Sequence, residues 1–573
     1  MNDSQPIETA TTSIQMPSGA PDAKTRRYDR QLRLWAASGQ AALESARILV
    51  IPATATTTSI LKNLVLPGLG HFTLMDDKVV NGADAGNNFF LDGFKSIGKF
   101  RAQEAVNGLM EMNDGVEGVA DVRNIQEVLE TDKGWLKTFD VVVAHNVDSV
   151  ILDDLAALLW PDTYLVVVNS AGFLADFSIH YREHQVIESH AETSPSLRID
   201  QAFPALLQYA MSLPLDTMDI TDHAHIPYPV ILVRALEEWR REREQGASIR
   251  LLLSGPSSGR GVPRTTAERK AFKERIRAMM RKFDEENFEE AEAQAFKCWT
   301  PTVIPSEVRE LFNLHLSSTS SSTTFSSLVS ALSQFSQNNP ASPQYTSGLL
   351  PLTPSLPDMK SSTEEYVKLQ KLFRAQSDKE KQVFKEYLSR AQVDVNDATI
   401  DQFLKNSHAL KVLKGREWKE INPGAKELLA GKLSTHTKET ATHLALAAIR
   451  KLRAKSVIPS LEHVSSPNDT AMTDILDKDK LKDLLTAEAK SFLPPGVELP
   501  EAEWPVASGE VARAPSADLP TTAAFLGGLV AQEVIKMITK QYIPISAGNA
   551  ASAANDQLGI CVVDLVETWT GIL

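Results

Sequence analysis

Short apolar runs and helical stripes alternate along the first third of the chain. Residues 48–51 are a fully apolar, β-branched run that predicts a buried strand. Ile60, Leu61, Leu64 and Val65 then recur at helical spacing, and Thr58 or Ser59 can cap that helix. Pro67-Gly68 and Gly70 break it. A second strand is predicted over 72–75, ending at Asp76, and further buried strands over 141–143 and 164–168. Apolar strands separated by helices predict a parallel sheet covered on both faces. From about 200 to 500 helical periodicity dominates. There, a basic stretch followed by an acidic one over 267–296 reads as a solvated helix face. A Ser/Thr run at 317–327 leads into Phe325, Leu328, Leu332 and Phe335 at near-helical spacing, so a helix starts inside it. The prolines of 339–357 predict a loop. Near the end, Thr521 or Thr522 can cap the apolar stretch 523–538. Its Gly527-Gly528 pair costs helix propensity, which points to close backbone packing. Residues 559–566 alternate like a strand.

These patterns predict an α/β, Rossmann-like region interrupted by a large, mainly helical insert. Residues 1–24, rich in Ser, Thr, Pro and Ala, read as a disordered tail. Residues 25–176 form the first part of the α/β domain, 177–504 the insert, and 505–573 the C-terminal part. A length of 573 residues agrees with several domains. The net charge of −14 argues against a nucleic-acid footprint, which needs clustered positive charge. Only two cysteines, Cys298 and Cys561, argue for a reducing compartment and exclude a four-cysteine zinc knuckle on this chain. No basic region followed by an apolar core opens the chain, and no uninterrupted apolar run approaches a bilayer span. A cytosolic or nuclear protein without a membrane partner is expected.

The strand at 48–51 followed by a helix is where a dinucleotide-type fold places a glycine-rich phosphate loop. Glycine serves there because backbone N–H groups must approach phosphate closely. Here the loop reads Pro52, Ala53, Thr54, Ala55, Thr56, Thr57, with no glycine and with a proline that lacks an N–H. A loop that has lost its nucleotide is expected; a nucleotide held by threonine hydroxyls is the alternative. Asp76 stands where an acidic residue would reach a ribose hydroxyl, or is a simple strand-end carboxylate. His180 and His184 match a zinc-binding spacing that works only on a helix. The alternation of Phe177, Ile179 and Tyr181 reads instead as a strand, where four residues span about 13 Å, so no metal site is expected. His223 and His225 read as polar or capping residues.

"YDRQLRLW" at 28–35, "LKNLVLPGLGHFTLMDD" at 61–77, "NNFFL" at 87–91, "SIGKFRAQ" at 96–103 and "AAFLGGLVAQEVIK" at 523–536 resemble the ThiF/MoeB-like adenylation fold of ubiquitin-like-protein activating enzymes. "EHQVIESH" at 183–190, "DHAHIPYPVILVRALEEW" at 222–239, "DEENFEEA" at 284–291 and "LPDMKSST" at 356–363 resemble, within that family, the regulatory subunits of the neddylation branch. The resemblance implies the non-catalytic half of a heterodimer. With a catalytic subunit it would adenylate the C-terminus of the ubiquitin-like modifier and pass it to the partner's cysteine as a thioester. Active halves carry glycines where this chain has Pro52 to Thr57. Asn87 stands where they carry a phosphate-binding arginine, Arg101 where they carry a lysine, and Asp76 aligns with their nucleotide aspartate. Neither cysteine lies in a thioester-forming motif. The resemblance therefore implies that ATP and Mg²⁺ sit in the partner's site. Arg30 matches the arginine that reaches a partner's ATP in trans, while Arg33 is the better candidate for a structural ion pair. The helical insert would occupy the place of a catalytic-cysteine domain. Other possibilities are a self-sufficient adenylating enzyme, the regulatory half of a SUMO-type activating enzyme, and a non-enzymatic adaptor.

Overall fold

Arg47–Ile51 (β1), His71–Met75 (β2), Glu117–Asp121 (β3), Val141–His145 (β4), Tyr164–Ala171 (β5) and Leu174–His180 (β6) are the first six strands. Glu183–Val186 (β7), Lys411–Lys414 (β8), Gly548–Asn549 (β9), Ile560–Asp564 (β10) and Trp569–Ile572 (β11) follow. The computed structural model describes residues 22–160, 162–188, 196–246, 261–317, 324–337, 348–390, 393–421, 425–455, 478–545, 548–549 and 557–573. The main sheet has the order β11-β10-β6-β5-β4-β1-β2-β3. β1 is parallel to both β2 and β4, and β5 continues the parallel set, whereas β6, β10 and β11 pair antiparallel. The chain runs outward from β1 to β3 and then crosses back to β4 on the other side. The ends of β1 and β4 therefore form the topological switch point, where such sheets bind ligands. Four of the five residues of β1 and all five of β4 are buried, as a strand covered on both faces requires.

Five helices position the site: Ala23–Arg27 (α1), Asp29–Ser45 (α2), Ala55–Val65 (α3), Gly82–Asn87 (α4) and Arg101–Met110 (α5). α3 starts earlier than its apolar stripe predicts. Its cap is Thr54 and not Thr58 or Ser59: Thr54 Oγ1 accepts from the Thr57 N–H while Thr57 Oγ1 accepts from the Thr54 N–H. Two threonines thus make the reciprocal box that usually needs Glu or Gln. Of the expected disordered tail, residues 1–21 lie outside the described residues, and α1 begins within the rest, capped by the Asp22 carboxylate.

The long helix Pro520–Thr539 packs on α3. It is not capped by Thr521 or Thr522; the Thr522 hydroxyl instead donates to the Gly172 carbonyl at 2.8 Å. By length and composition it could cross a membrane, but Leu526, Val530, Val534 and Met537 are fully buried in the protein core. A Cβ on Gly527 would lie 2.3 Å from Ser59 Oγ, whereas one on Gly528 would meet nothing within 4 Å. Close packing therefore explains the first glycine only. Gly527→Val is expected to lower stability by about 1–3 kcal/mol through overpacking. Gly528→Ala is expected to be neutral or stabilising by up to ~1 kcal/mol. Thermal unfolding of the two variants checks this, and equal midpoints would contradict it.

The chain forms two compact units. One comprises the described residues of 1–182, 414–548 and 555–573; the other those of 183–413 and 549–554. The insert is thus shorter than the expected 177–504. Helices Lys426–Thr435, Thr437–Ala454, Lys478–Ser491 and Glu503–Arg513 belong to the first unit. Leu444, Ala448, Leu485 and Val511 share a core there with Leu174, Ile560 and Val562 of the sheet. Helical periodicity reads the same whether a helix covers a sheet or another helix, so the return was hidden. The second unit is mainly helical, with β7-β8-β9 as a small sheet. Phe203, Phe272, Phe288 and Phe373 fill one of its cores. Arg198 is clamped by both carboxylate oxygens of buried Glu380 at 2.7 and 2.8 Å. The stretch 267–296 is not simply a solvated face. It forms helices Thr266–Ala278 and Glu286–Ala293, and between them buried Glu285 meets His223 Nδ1 at 2.6 Å. A helix, Thr324–Gln337, does start inside the Ser/Thr run, whose residues 318–323 lie outside the described residues. Of the expected loop, 339–347 lie outside them, and 348–357 hold neither helix nor strand.

Candidate functional site

At the switch point, the loop after β1 runs straight into α3. An open helix start of this kind presents N–H donors to an anion. Here the protein fills the position itself. The Thr56 N–H and Oγ1 donate to the two carboxylate oxygens of Asp518, at 3.1 and 2.6 Å. The Ala53 N–H donates to Asp76 Oδ2 at 2.9 Å. The Thr54 and Thr57 N–H groups are taken by the capping box. Thr57 Oγ1 also donates to the Pro52 carbonyl at 2.5 Å, and Thr58 Oγ1 to Asn88 Oδ1 at 3.0 Å. Thr56 and Thr57 are fully buried. The hydroxyls that could have replaced a glycine-rich cradle are thus engaged within the chain, and two carboxylates stand among the donors.

Asp76 lies at the end of β2 and is buried. Arg101, the first residue of α5, meets it through Nε at 2.9 Å and through its NH2 group at 3.1 Å. The Lys78 N–H adds a bond to Asp76 Oδ1 at 2.9 Å. The other arm of Arg101 reaches Asp84 of α4 at 3.3 Å. Burial works against the Arg101 charge, but the Asp76 and Asp84 carboxylates outweigh it and raise its pKa. The Asp76 carboxylate is thus divided between Arg101 and the loop after β1.

His145, at the end of β4, places Nδ1 2.8 Å from Thr54 Oγ1 and Nε2 2.9 Å from Ser170 Oγ. Burial pushes its pKa down to about 4, so the ring is neutral at neutral pH. Arg453 reaches the same region by donating to the Pro515 carbonyl, just before Asp518.

The structure thus brings Pro52 to Thr57, Asp76 and Arg101 into one cluster. Asn87 ends α4 half-exposed and takes no part in these bonds; its neighbour Asn88 is the buried one, joined to Thr58 and to the Phe90 N–H. Asp518, His145, Asp84 and Asn88 escape sequence reasoning. Asp518 lies 462 positions from Thr56, and only the closing of the sheet by the C-terminal segment unites them. Arg30 lies elsewhere, on the first turn of α2. Its side chain is exposed and makes no hydrogen bond or ion pair among the described residues, while Arg33 pairs with Asp29 at 3.1 Å.

Both cysteines are buried and free. Burial raises the Cys298 thiol far above its ordinary range and pushes Cys561 up to about 12, so neither is poised as a nucleophile. His180 closes β6 and bonds to Ser178 Oγ at 2.8 Å, while His184 lies in β7, so the two do not share a helix. His225 Nδ1 lies 2.6 Å from the Thr221 carbonyl. Among the described residues, no group of three or more His, Cys, Asp or Glu side chains could hold a metal ion.

This sheet order, with a nucleotide-type loop at its switch point, defines an adenylation fold, and residues 28–157 match the family model described as the ThiF family. The NEDD8-activating enzyme E1 regulatory subunit of Xenopus laevis is 33% identical over 541 residues, covering 91% of this chain and 95% of that protein. The protein of the same name in Gallus gallus is 33% identical over 546 residues, covering 92% and 96%. In Arabidopsis thaliana the regulatory subunit AXL is 32% identical over 535 residues, covering 91% and 96%. The chain belongs to the family of NEDD8-activating enzyme E1 regulatory subunits. That membership leaves the SUMO-type alternative without support.

Proposed function

We propose that this chain is the half of a heterodimeric activating enzyme that binds no nucleotide, and that it completes the ATP site of a catalytic subunit. The partner holds ATP and Mg²⁺, adenylates the C-terminus of the ubiquitin-like modifier NEDD8 and supplies the thioester-forming cysteine. The observation that carries this reading is the self-occupied loop: Asp518 and Asp76 already hold the donors that a nucleotide phosphate would need. A phosphate entering there would meet two carboxylates, at a Coulomb cost that grows as water is excluded.

Arg30 is this chain's contribution to the chemistry. Attack of the modifier's carboxylate on the α-phosphate would break the bond to the β-phosphate and release pyrophosphate, and a guanidinium in trans would stabilise the negative charge that builds up, with a planar fork of donors. The unit of residues 183–413 holds no reactive thiol and serves as a wall for the modifier or for the partner's thioester domain. The complex works in the cytosol or nucleus.

Counting bound ATP tests the division of labour. Equilibrium dialysis is expected to find about one ATP per heterodimer and none on this chain alone up to millimolar concentration. Saturable binding to the isolated chain would overturn the reading.

A further inference from the structure

α2 is not one straight helix. Trp35 (φ −124°, ψ 18°) and Ala36 (φ 56°, ψ −177°) leave the helical range, so residues 29–34 form a short arm set off from 37–45. The Ala36 torsions lie in a region that is nearly restricted to glycine, and a conformation of that kind costs about 1–3 kcal/mol unless its surroundings enforce it. The surroundings are visible. Gln541 is buried and its Nε2 donates to the Trp35 carbonyl at 2.8 Å, from 506 positions along the chain. The Tyr542 hydroxyl adds a bond to the Leu34 carbonyl at 3.3 Å. The Trp35 indole N–H donates to Gln40 Oε1 at 3.1 Å, and Gln40 Nε2 donates to the Pro67 carbonyl at 3.0 Å. A Cβ on Gly39 would lie 2.9 Å from Trp35 and 3.0 Å from Gln541 Nε2, so the glycine makes room for this joint. Gln541 itself is aimed by Lys540, whose left-handed φ of 55° ends the helix Pro520–Thr539 and turns the chain toward α2.

The other end of the arm is also tied. The Tyr28 ring is buried, and its hydroxyl accepts from Asn113 Nδ2 at 3.0 Å. The same amide donates to the Val65 carbonyl at 2.8 Å. Arg30 therefore projects from a short segment fixed at Tyr28 and at Trp35, while its own side chain has no partner among the described residues.

We propose that Gln541 is a positioning residue for Arg30, holding the kink at Trp35 so that the arm presents the guanidinium at a fixed place and angle. This rests on the reading that Arg30 acts in trans on the partner's ATP. A finger that reaches another subunit's substrate cannot be located by contacts within its own chain, so its base must be rigid. A displacement of about 1 Å can cost as much as a hundred-fold in rate.

The test uses the heterodimer with the catalytic subunit and measures modifier-dependent ATP–pyrophosphate exchange at saturating ATP and modifier. Gln541→Ala and Gln541→Met are each combined with wild-type Arg30 and with Arg30→Ala, and assembly is followed by size-exclusion chromatography. Methionine keeps the volume of glutamine and protects against a variant that fails to fold, but it cannot donate to the Trp35 carbonyl. Both variants are expected to assemble, to slow exchange roughly tenfold, and to cause no further slowing in the Arg30→Ala background. Wild-type exchange by Gln541→Ala would overturn the proposal. So would full rescue by methionine, or the same tenfold loss on top of Arg30→Ala. If Arg30→Ala alone exchanged at the wild-type rate, the trans role of Arg30 would fail instead.

Discussion

Arg30→Ala is expected to slow adenylation by the heterodimer about a hundred-fold, while the variant chain folds and assembles like wild type. The magnitude follows from what one pre-positioned donor to transition-state charge contributes elsewhere, roughly 10²–10³ in rate. The selectivity follows from the structure. Arg30 is exposed and unpaired among the described residues, so its removal breaks no bond seen there, and surface changes of that kind usually stay within about 0.5 kcal/mol of wild-type stability. Arg30→Lys should recover only part of the rate, because a point charge cannot offer the planar fork. Arg33→Ala is the internal control: it breaks an exposed pair with Asp29, a contact worth about 0–1 kcal/mol, and should leave exchange near wild type. Single-turnover formation of the acyl-adenylate measures the step directly. An Arg30→Ala enzyme at the wild-type rate would remove this chain from the chemistry and favour a scaffold.

Arg101→Ala should produce the largest loss of stability among changes at the vestigial site, about 3–5 kcal/mol. The arginine satisfies a buried Asp76 and reaches Asp84, so its removal strands charge in a place water does not reach. Arg101→Lys should fall between, because one ammonium cannot grip two carboxylates as the guanidinium does. Asp76→Asn combined with Arg101→Met should recover much of the loss, since no buried charge is then left alone. Thermal and urea unfolding of the isolated chain decide this. If Arg101→Ala unfolded like wild type, Asp76 would be better hydrated than the structure indicates, and a free nucleotide ligand would again be conceivable.

Much of this is written locally in the sequence. β1, β4 and β5 are legible because a strand buried on both faces must be continuously apolar, and Ile48 to Ile51 can be nothing else in that setting. The missing glycine is legible because close approach to phosphate has a strict steric requirement. The start of α3 is less so. Its apolar stripe begins at Ile60, while the helix begins five residues earlier at Ala55, on threonines whose hydroxyls serve as both cap and filling. Asn87 and Asn88 show how fine the limit is: at the end of a short helix one position decides which amide turns inward. What stays hidden is what depends on closure of the chain. Asp518 on Thr56 and Gln541 on Trp35 join segments 462 and 506 positions apart, and no local pattern marks either.

Modifier-dependent ATP–pyrophosphate exchange with this chain alone, the catalytic subunit alone and the two together tests the composite enzyme most directly. Exchange at full rate only with both chains present, and slowed about a hundred-fold by Arg30→Ala, is the predicted result. Exchange by this chain alone would contradict it, because the loop filled by Asp518 and Asp76 would then still bind nucleotide.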